Sequence, residues 1–157
     1  MIKVTVVVPV LNEEKSIDAL IDALTKQSLL PTEVVLVDGG SGDNTVQYIR
    51  EWQKQKTPFE LTLIEKRGAN RSVARNEGIL HARTQIIALT DAGCVPKKDW
   101  LEQLIDPFND DEQLEVVAGF YDPAPKNWWE DMLADYTCVR TWNFDAKNFL
   151  PSSRSLA

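Results

Sequence analysis

Histidine, cysteine and long apolar runs are scarce in this sequence, and their scarcity excludes several classes of protein. Among the 157 residues there is one histidine, His81, and there are two cysteines, Cys94 and Cys138. No C-x-x-C pair occurs, so a zinc ribbon, a redox dithiol and a disulfide-rich scaffold are all disfavoured. No stretch approaches the roughly 18–20 consecutive apolar residues of a membrane-spanning helix. We therefore expect a globular protein with reduced thiols, located in the cytoplasm.

Basic residues are fewer than acidic residues. The chain has 24 acidic and 17 basic residues, a net charge of −7, which disfavours nucleic acid as a partner. Basic residues are nevertheless concentrated between Lys66 and Arg83, where Glu77 is the sole acidic residue. Such a cluster either binds a small anion or forms a solvated helix face. Taken by itself, the cluster favours the solvated face.

The glycine pattern excludes several well-known nucleotide and hydrolase motifs. Gly39, Gly40 and Gly42 do not form G-x-G-x-x-G, and G-x-x-x-x-G-K-[ST] is absent, which disfavours dinucleotide dehydrogenases and P-loop NTPases. The sequence has no G-x-S-x-G, and His81 lies inside a helical pattern, so a hydrolase triad is not indicated either.

Short β-branched runs alternate with segments of helical periodicity along the chain. This alternation predicts an α/β fold with three layers and a mostly parallel sheet. Pro9 is expected to end the first strand, and Asp43 to cap the second helix. The predicted strands are 4–8, 34–37, 61–64, 85–89 and 114–119, and the predicted helices are 17–24, 44–52, 72–83, 101–108 and 128–145.

Polar residues follow the predicted strands at the points where ligands bind in open parallel sheets. Asp38 and Asp91 come directly after buried strands, where an unpaired charge is costly. Each aspartate also has a structural alternative, since Asp38 can shape the glycine-rich turn and Asp91 can cap a turn before Pro96. Arg71 falls at a predicted helix start, a position suited to phosphate oxygens.

Four segments together resemble the family 2 glycosyltransferases of the GT-A fold: Val6–Glu14, Val37–Thr45, Gly68–Gly78 and Leu89–Gly93. Their order, spacing and strand-end placement agree with the family over roughly residues 3–120. The resemblance implies a site for a nucleotide-diphosphate sugar. It also implies an inverting transfer of the sugar to an acceptor hydroxyl, in cell-wall or polysaccharide biosynthesis.

The resemblance also implies roles for individual residues. Pro9, Asn12 and Glu13 would lie against the nucleoside, and Asp38 would accept from its base. Arg71 would face the base or the diphosphate. Asp91 stands at the first position of the family's Asp-x-Asp motif, which contacts the ribose and a divalent metal. The implied nucleotide-sugar-binding residues are Pro9, Asn12, Glu13, Asp38, Gly40, Arg71, Asp91 and Ala92.

Two departures from the family pattern limit these expectations. Gly93 replaces the second acidic residue, so Asp91 is the one carboxylate of the motif left for Mg²⁺ or Mn²⁺, and Arg71 with its neighbours is an alternative source of positive charge. The family's general base has no counterpart before Ala157. We therefore expect one domain, 1–157, incomplete at its C-terminal end, with a core in 1–120 and a helical cover and tail in 121–157.

Two alternatives remain open at this point. One is a non-catalytic nucleotide-sugar-binding or partner-docking module, in which Trp128, Trp129 and Trp142 contact another chain, a second copy or a membrane surface; ordinary core packing is the plainer explanation of these tryptophans. The other is a nucleotidyltransferase, whose glycine- and basic-rich loop after strand one is replaced here by Leu11–Glu14. The sugar, the base and the acceptor, whether sugar, lipid or protein, are left open.

Overall fold

The computed structural model describes residues 2–111, 113–119, 123–125 and 127–137. Strands and helices alternate through most of this range, as the sequence predicts. The strands are β1 (Val4–Val10), β2 (Glu33–Asp38), β3 (Glu60–Glu65) and β4 (Ile86–Leu89). The helices are α1 (Ile17–Thr25), α2 (Thr45–Lys54), α3 (Arg71–His81), α4 (Trp100–Asp110) and α5 (Trp128–Thr137).

The four strands form one parallel sheet in the order β3-β2-β1-β4. Every residue of β1 and β2 is buried, because these central strands are covered on both faces. Helices α1, α2 and α4 contribute Leu20, Ile49 and Leu101 to the larger core on one face. Helix α3 contributes Ala74 to a smaller core on the other face, against Val7 and Val35. The predicted three-layer α/β architecture is confirmed.

The prediction that Pro9 ends the first strand is wrong, because β1 continues to Val10. The amide of Thr90 donates to the carbonyl oxygen of Val7, so the backbone of Val7 faces β4. Pro9 lies two residues further and faces the same side, beyond Val7↔Leu89, the last β1–β4 pair. No hydrogen bond to β4 is needed at Pro9, and the residue is tolerated within the strand.

The predicted fifth strand, 114–119, is not among the strands of the described residues. Residues 114–117 have no regular structure, and Ala118 forms an isolated bridge. Val116 is 44% exposed, so this apolar segment lacks the cover that a buried strand requires.

Each of the first four predicted helices differs from the structure by one or two residues at one or both ends. Helix α2 begins at Thr45 with Asn44 as its cap residue, one position later than predicted. The predicted helix over 128–145 corresponds to α5 up to Thr137, and its remainder, with Trp142, lies outside the described residues. Among the described helices, none has the length and apolar character needed to cross a bilayer.

Candidate functional site

A crevice opens at the carboxyl edge of the sheet, between β1 and β4. The strand order reverses at this point, since β2 and β3 lie to one side of β1 and β4 lies to the other. Such a switch point is where open α/β sheets bind their ligands. The crevice has a volume of about 380 Å³. It is lined by Pro9, Val10, Leu11 and Glu13 after β1, by Ala69, Asn70, Arg71 and Ala74 around the start of α3, and by Asp91 and Ala92 after β4.

The structure brings five of the eight sequence-predicted site residues together in this crevice: Pro9, Glu13, Arg71, Asp91 and Ala92. The three that do not line it are Asn12, Asp38 and Gly40. These three belong to the loop after β1 and to the glycine-rich turn after β2, which form one side of the same sheet edge.

The carboxylate of Asp38 is directed into its own turn. The side chain is 2% exposed, and it accepts hydrogen bonds from the amide of Gly40 at 2.8 Å and from the amide of Ser41 at 3.0 Å. The hydroxyl of Ser41 also donates to it. Gly40 has a φ of +107°, a conformation that glycine adopts without strain. Asp38 therefore holds the turn closed, which was the structural alternative for this residue.

Asn12 joins the loop after β1 to the same turn. Its amide donates to the hydroxyl of Ser41, and its side-chain oxygen accepts from the amide of Gly42, both at 2.8 Å. Asn12 has a φ of +55°, in the left-handed region that asparagine tolerates better than most residues. The residue fixes the path of the loop and thereby the position of Glu13, whose amide donates to the hydroxyl of Thr45 at 2.8 Å.

Asp43 strengthens the junction between this loop and α2. Its carboxylate accepts from the amide of Glu14 at 3.2 Å and from the amide of Thr45 at 3.1 Å. Burial by itself would raise the pKa of Asp43, but the hydrogen bonds from Thr45 and Glu14 outweigh it and hold the pKa below its usual value. Asp43, which precedes the cap residue Asn44, therefore stabilises the start of α2 as a charged carboxylate.

The start of α3 faces the crevice. The side chain of Asn70 accepts from the amide of Val73 at 3.0 Å, which confirms the predicted helix start. The side chain of Arg71 is 66% exposed and extends over the opening, with Nη1 3.9 Å from Oδ2 of Asp91. An exposed guanidinium beside a helix N-terminus is suited to the oxygens of a phosphate.

Arg75 is the neighbour of the crevice that sequence reasoning missed. Its Nη2 donates to Oδ1 of Asp91 at 2.7 Å, and the two side chains are 16% and 15% exposed. The spacing from Arg71 to Arg75 is i to i+4, which places both residues on the same face of α3. That spacing was available in the sequence as a signal. The end of α3 and strand β4 separate Asp91 from Arg75 along the chain, so the ion pair could not be predicted from the sequence.

The five bases between Lys66 and Arg83 do not act as one cluster. Lys66 pairs with Glu77, and Arg83 pairs with Glu33 and Glu60 at the amino edge of the sheet. The hydrogen bonds to Glu60 and Glu33 raise the pKa of Arg83 further above its already high value. Of the five, Arg71 lines the crevice, and Arg75 lies directly behind it.

The donor atoms in the crevice do not by themselves form a metal site. Among the described residues, no group of three His, Cys, Asp or Glu side chains is placed to hold a metal ion. Glu13 and Asp91 are the two carboxylates of the lining, and Asp91 already contacts two guanidinium groups. A divalent cation here would take most of its ligands from water or from a bound ligand.

A second hollow of about 470 Å³ lies between α1 and α2, beside Tyr48 and Trp52. None of the predicted site residues lines it. The indole nitrogen of Trp52 donates to Asp18 across it at 2.8 Å.

The sequence matches the family model described as glycosyl transferase family 2 over residues 5–153. The chain belongs to glycosyl transferase family 2. Among curated members, it is 35% identical over 102 residues to glycosyltransferase AglE of Haloferax volcanii. That match covers 64% of this chain and 33% of AglE, so the chain spans about a third of that relative.

Solved structures of glycosyltransferases share the fold. The mannosyltransferase PcManGT from Pyrobaculum calidifontis, in complex with GDP-Man and Mn²⁺, is 31% identical with a TM-score of 0.68, over 74% of this chain and 34% of that one. TarS of S. aureus, residues 1–349 with UDP-GlcNAc, is 23% identical with a TM-score of 0.67, over 80% of this chain and 36% of that one. The expected GT-A type of α/β fold is confirmed.

Proposed function

We propose that this family 2 chain binds a nucleotide-diphosphate sugar in the crevice between β1 and β4. The observation that carries the proposal is the meeting of Pro9, Arg71 and Asp91 at the switch point of the sheet. These residues come from three separate segments of the chain, each of which resembles the family. A cavity of about 380 Å³ is within the usual size of a small-ligand pocket.

The reaction we propose is transfer of the sugar to an acceptor hydroxyl, with inversion at the anomeric carbon. The acceptor oxygen forms a bond to that carbon, the nucleoside diphosphate leaves, and the hydroxyl proton passes to a general base. We assign no described residue as that base. We propose that this chain supplies the donor-binding part of the reaction.

Five residues of the crevice lining have specific roles in this proposal. Arg71 faces the diphosphate, since its guanidinium is exposed beside the N-terminus of α3. Asp91 accepts from ribose hydroxyls through the oxygen that Arg75 does not hold. Pro9 and Ala92 provide apolar surface, and the carboxylate of Glu13 accepts hydrogen bonds from hydroxyl groups of the ligand.

Asn12, Asp38 and Gly40 enter the proposal mainly through the turn that they build. Asp38 accepts from Gly40 and Ser41, and Asn12 ties the neighbouring loop to the same turn. A direct contact between Asp38 and the base stays a prediction and is the alternative to this role in the turn.

Calorimetric titration with UDP and with GDP, each with and without Mn²⁺, tests the proposal. Asp91→Asn and Arg71→Ala should each weaken binding by about tenfold or more. The matched controls, Asp22→Asn and Arg50→Ala, remove charges from exposed ion pairs elsewhere and should leave binding unchanged. Absence of heat with both nucleotides, on protein shown to be folded, would overturn the proposal.

A divalent cation is the second candidate for neutralising the diphosphate. The structure of PcManGT holds Mn²⁺ with GDP-Man, which supports testing a cation in this chain. The assignment of Mg²⁺ or Mn²⁺ to Asp91 stays a prediction, and the titrations with and without Mn²⁺ measure it. When bound, such a cation supplies positive charge to the leaving diphosphate.

The docking alternative retains one specific observation in its favour. Trp128 and Trp129 of α5 are 64% and 57% exposed, and their rings stack with centroids 3.9 Å apart. Core packing, the plainer explanation of these tryptophans, does not hold for this pair. We propose that they contact a second copy, another chain or, from the cytoplasm, the membrane surface. The proposal would be contradicted if the protein elutes as a monomer in size-exclusion chromatography and does not bind lipid vesicles.

A further inference from the structure

The charges that line the crevice do not favour an anion on their own. Glu13 and Asp91 contribute two carboxylates, whereas Arg71 is the one cationic side chain in the described lining. A diphosphate that met this lining alone would face net negative charge and would be repelled. Positive charge beyond that of Arg71 and the N-terminus of α3 therefore comes from a bound cation or from a residue behind the lining.

Arg75 is placed to supply that charge. It does not line the crevice, yet its Nη2 contacts Oδ1 of Asp91 at 2.7 Å from behind. Both side chains are about five-sixths buried, so solvent screens their charges less than it screens an exposed pair. With Arg75 included, the carboxylates and guanidinium groups around the crevice balance.

The two arginines bracket Asp91, one at each oxygen. Arg75 holds Oδ1, and Nη1 of Arg71 lies 3.9 Å from Oδ2. A divalent cation would have to share a carboxylate that already has two positive partners. Gly93, two residues further, provides no second carboxylate. The described residues therefore fit a pair of guanidinium groups better than they fit a resident metal ion.

One detail indicates that stability alone does not explain Arg75. Its Nε is buried and has no hydrogen-bond partner among the described residues. A buried donor without a partner opposes folding. Departures of this kind from good local packing are concentrated at functional sites.

We propose that Arg75 is a positioning residue that takes the charge-balancing place of a divalent cation at Asp91. Nucleoside diphosphate binding by this chain consequently depends only weakly on such a cation. This inference rests on the proposed function, because it concerns how the same crevice holds its nucleotide.

The test measures the dissociation constants of UDP and GDP by calorimetry, in EDTA and in Mn²⁺, for the wild-type chain and for Arg75→Gln. In the wild type, Mn²⁺ should tighten binding by less than about fivefold. In Arg75→Gln, binding in EDTA should weaken by about tenfold or more, and Mn²⁺ should restore most of it. A purely structural role would weaken binding by the same factor under both conditions, and that result would overturn the inference.

Two further variants control for charge and for folding. Arg50→Gln makes the same chemical change at an exposed ion pair with Glu65, and it should behave as the wild type. Arg75→Lys keeps the charge and loses the planar fork, so its response to Mn²⁺ should stay below about fivefold. If Arg75→Gln does not fold, Arg75→Lys and the wild type still decide the question.

The outcomes separate this inference from the proposed function. A wild-type chain that binds UDP or GDP only with Mn²⁺ overturns the role of Arg75 and leaves the proposed function intact. A folded wild-type chain that binds neither nucleotide under either condition overturns the proposed function, and this inference with it.

Discussion

Gly78 of α3 lies directly against Val7 of β1. A Cβ atom at position 78 would come within 2.3 Å of Cγ1 of Val7 and within 3.3 Å of Cγ2 of Val37. Val7 is fully buried and β-branched, so its side chain has little freedom to move away. The absence of a side chain at position 78 thus lets α3 approach the sheet, with Arg71 and Arg75 at the carboxyl edge.

The first prediction concerns this contact. Gly78→Ala should lower the free energy of unfolding by about 1–2 kcal/mol, because overpacking outweighs the better helix propensity of alanine. Urea denaturation measures the change. Gly42→Ala is the control, since a Cβ there has nothing within 4 Å, and its effect should stay within about 0.5 kcal/mol. A Gly78→Ala protein as stable as the wild type would contradict this account of the packing.

The second prediction concerns Asp38. Asp38→Ala should lower the free energy of unfolding by about 2–4 kcal/mol, since the amides of Gly40 and Ser41 lose a charged acceptor. In folded protein, the affinities for UDP and GDP should fall by similar factors, because the turn moves as a unit. Asp22→Ala, at an exposed pair with Lys26, is the control. Unchanged stability with a loss confined to one nucleotide would instead assign Asp38 to the base.

The third prediction concerns the amino edge of the sheet. Glu33 is 2% exposed and accepts from the hydroxyl of Thr5 at 3.1 Å and from Nη2 of Arg83 at 2.7 Å. Glu33→Ala should lower the free energy of unfolding by about 2 kcal/mol or more, because the hydroxyl of Thr5 and the guanidinium of Arg83 lose a buried, charged acceptor. Nucleotide affinity of the folded protein should change by less than about twofold.

Glu60 offers a matched control for Glu33. It pairs with the same Arg83 but is 59% exposed, so Glu60→Ala should have a much smaller effect on stability. Equal losses from the two substitutions would show that burial of Glu33 does not set its contribution.

The fourth prediction concerns pH. The pKa of Asp43 in the folded chain lies below its usual value, so its carboxylate stabilises the fold at pH values above that usual value. The contribution is lost as the pH falls through the lowered folded-state pKa. Asp43→Asn should therefore reduce stability at pH 7 and have little effect in strong acid. Urea titrations at several pH values measure this, and a pH-independent difference between the two proteins would refute the assignment.

The sheet was predictable from the sequence because its central strands consist of almost continuous apolar residues. Val34–Val37 could be placed this way, since a parallel strand covered on both faces has no polar side. The segment 114–119 has a similar composition and is not a strand among the described residues. A strand also needs a pairing partner, and composition does not reveal whether the sheet extends to it.

The position of the candidate site was predictable for those residues whose location follows from the sheet topology alone. Pro9, Arg71 and Asp91 lie together because the carboxyl ends of parallel strands share one edge. The inward orientation of Asp38 was not predictable, since a carboxylate before a glycine-rich turn can bind its own backbone or a ligand. Arg75 was missed because its partner is 16 residues away along the chain, across the end of a helix.

The polar network at Glu33 and the crevice at Asp91 lie at opposite ends of the same sheet. The residues that connect the strands at the amino edge are therefore not those that line the crevice. Loops at the carboxyl edge can therefore vary in sequence and length, while the amino edge keeps the sheet assembled. For engineering, stabilising substitutions belong at the amino edge, where they leave the chemistry of the crevice free to vary.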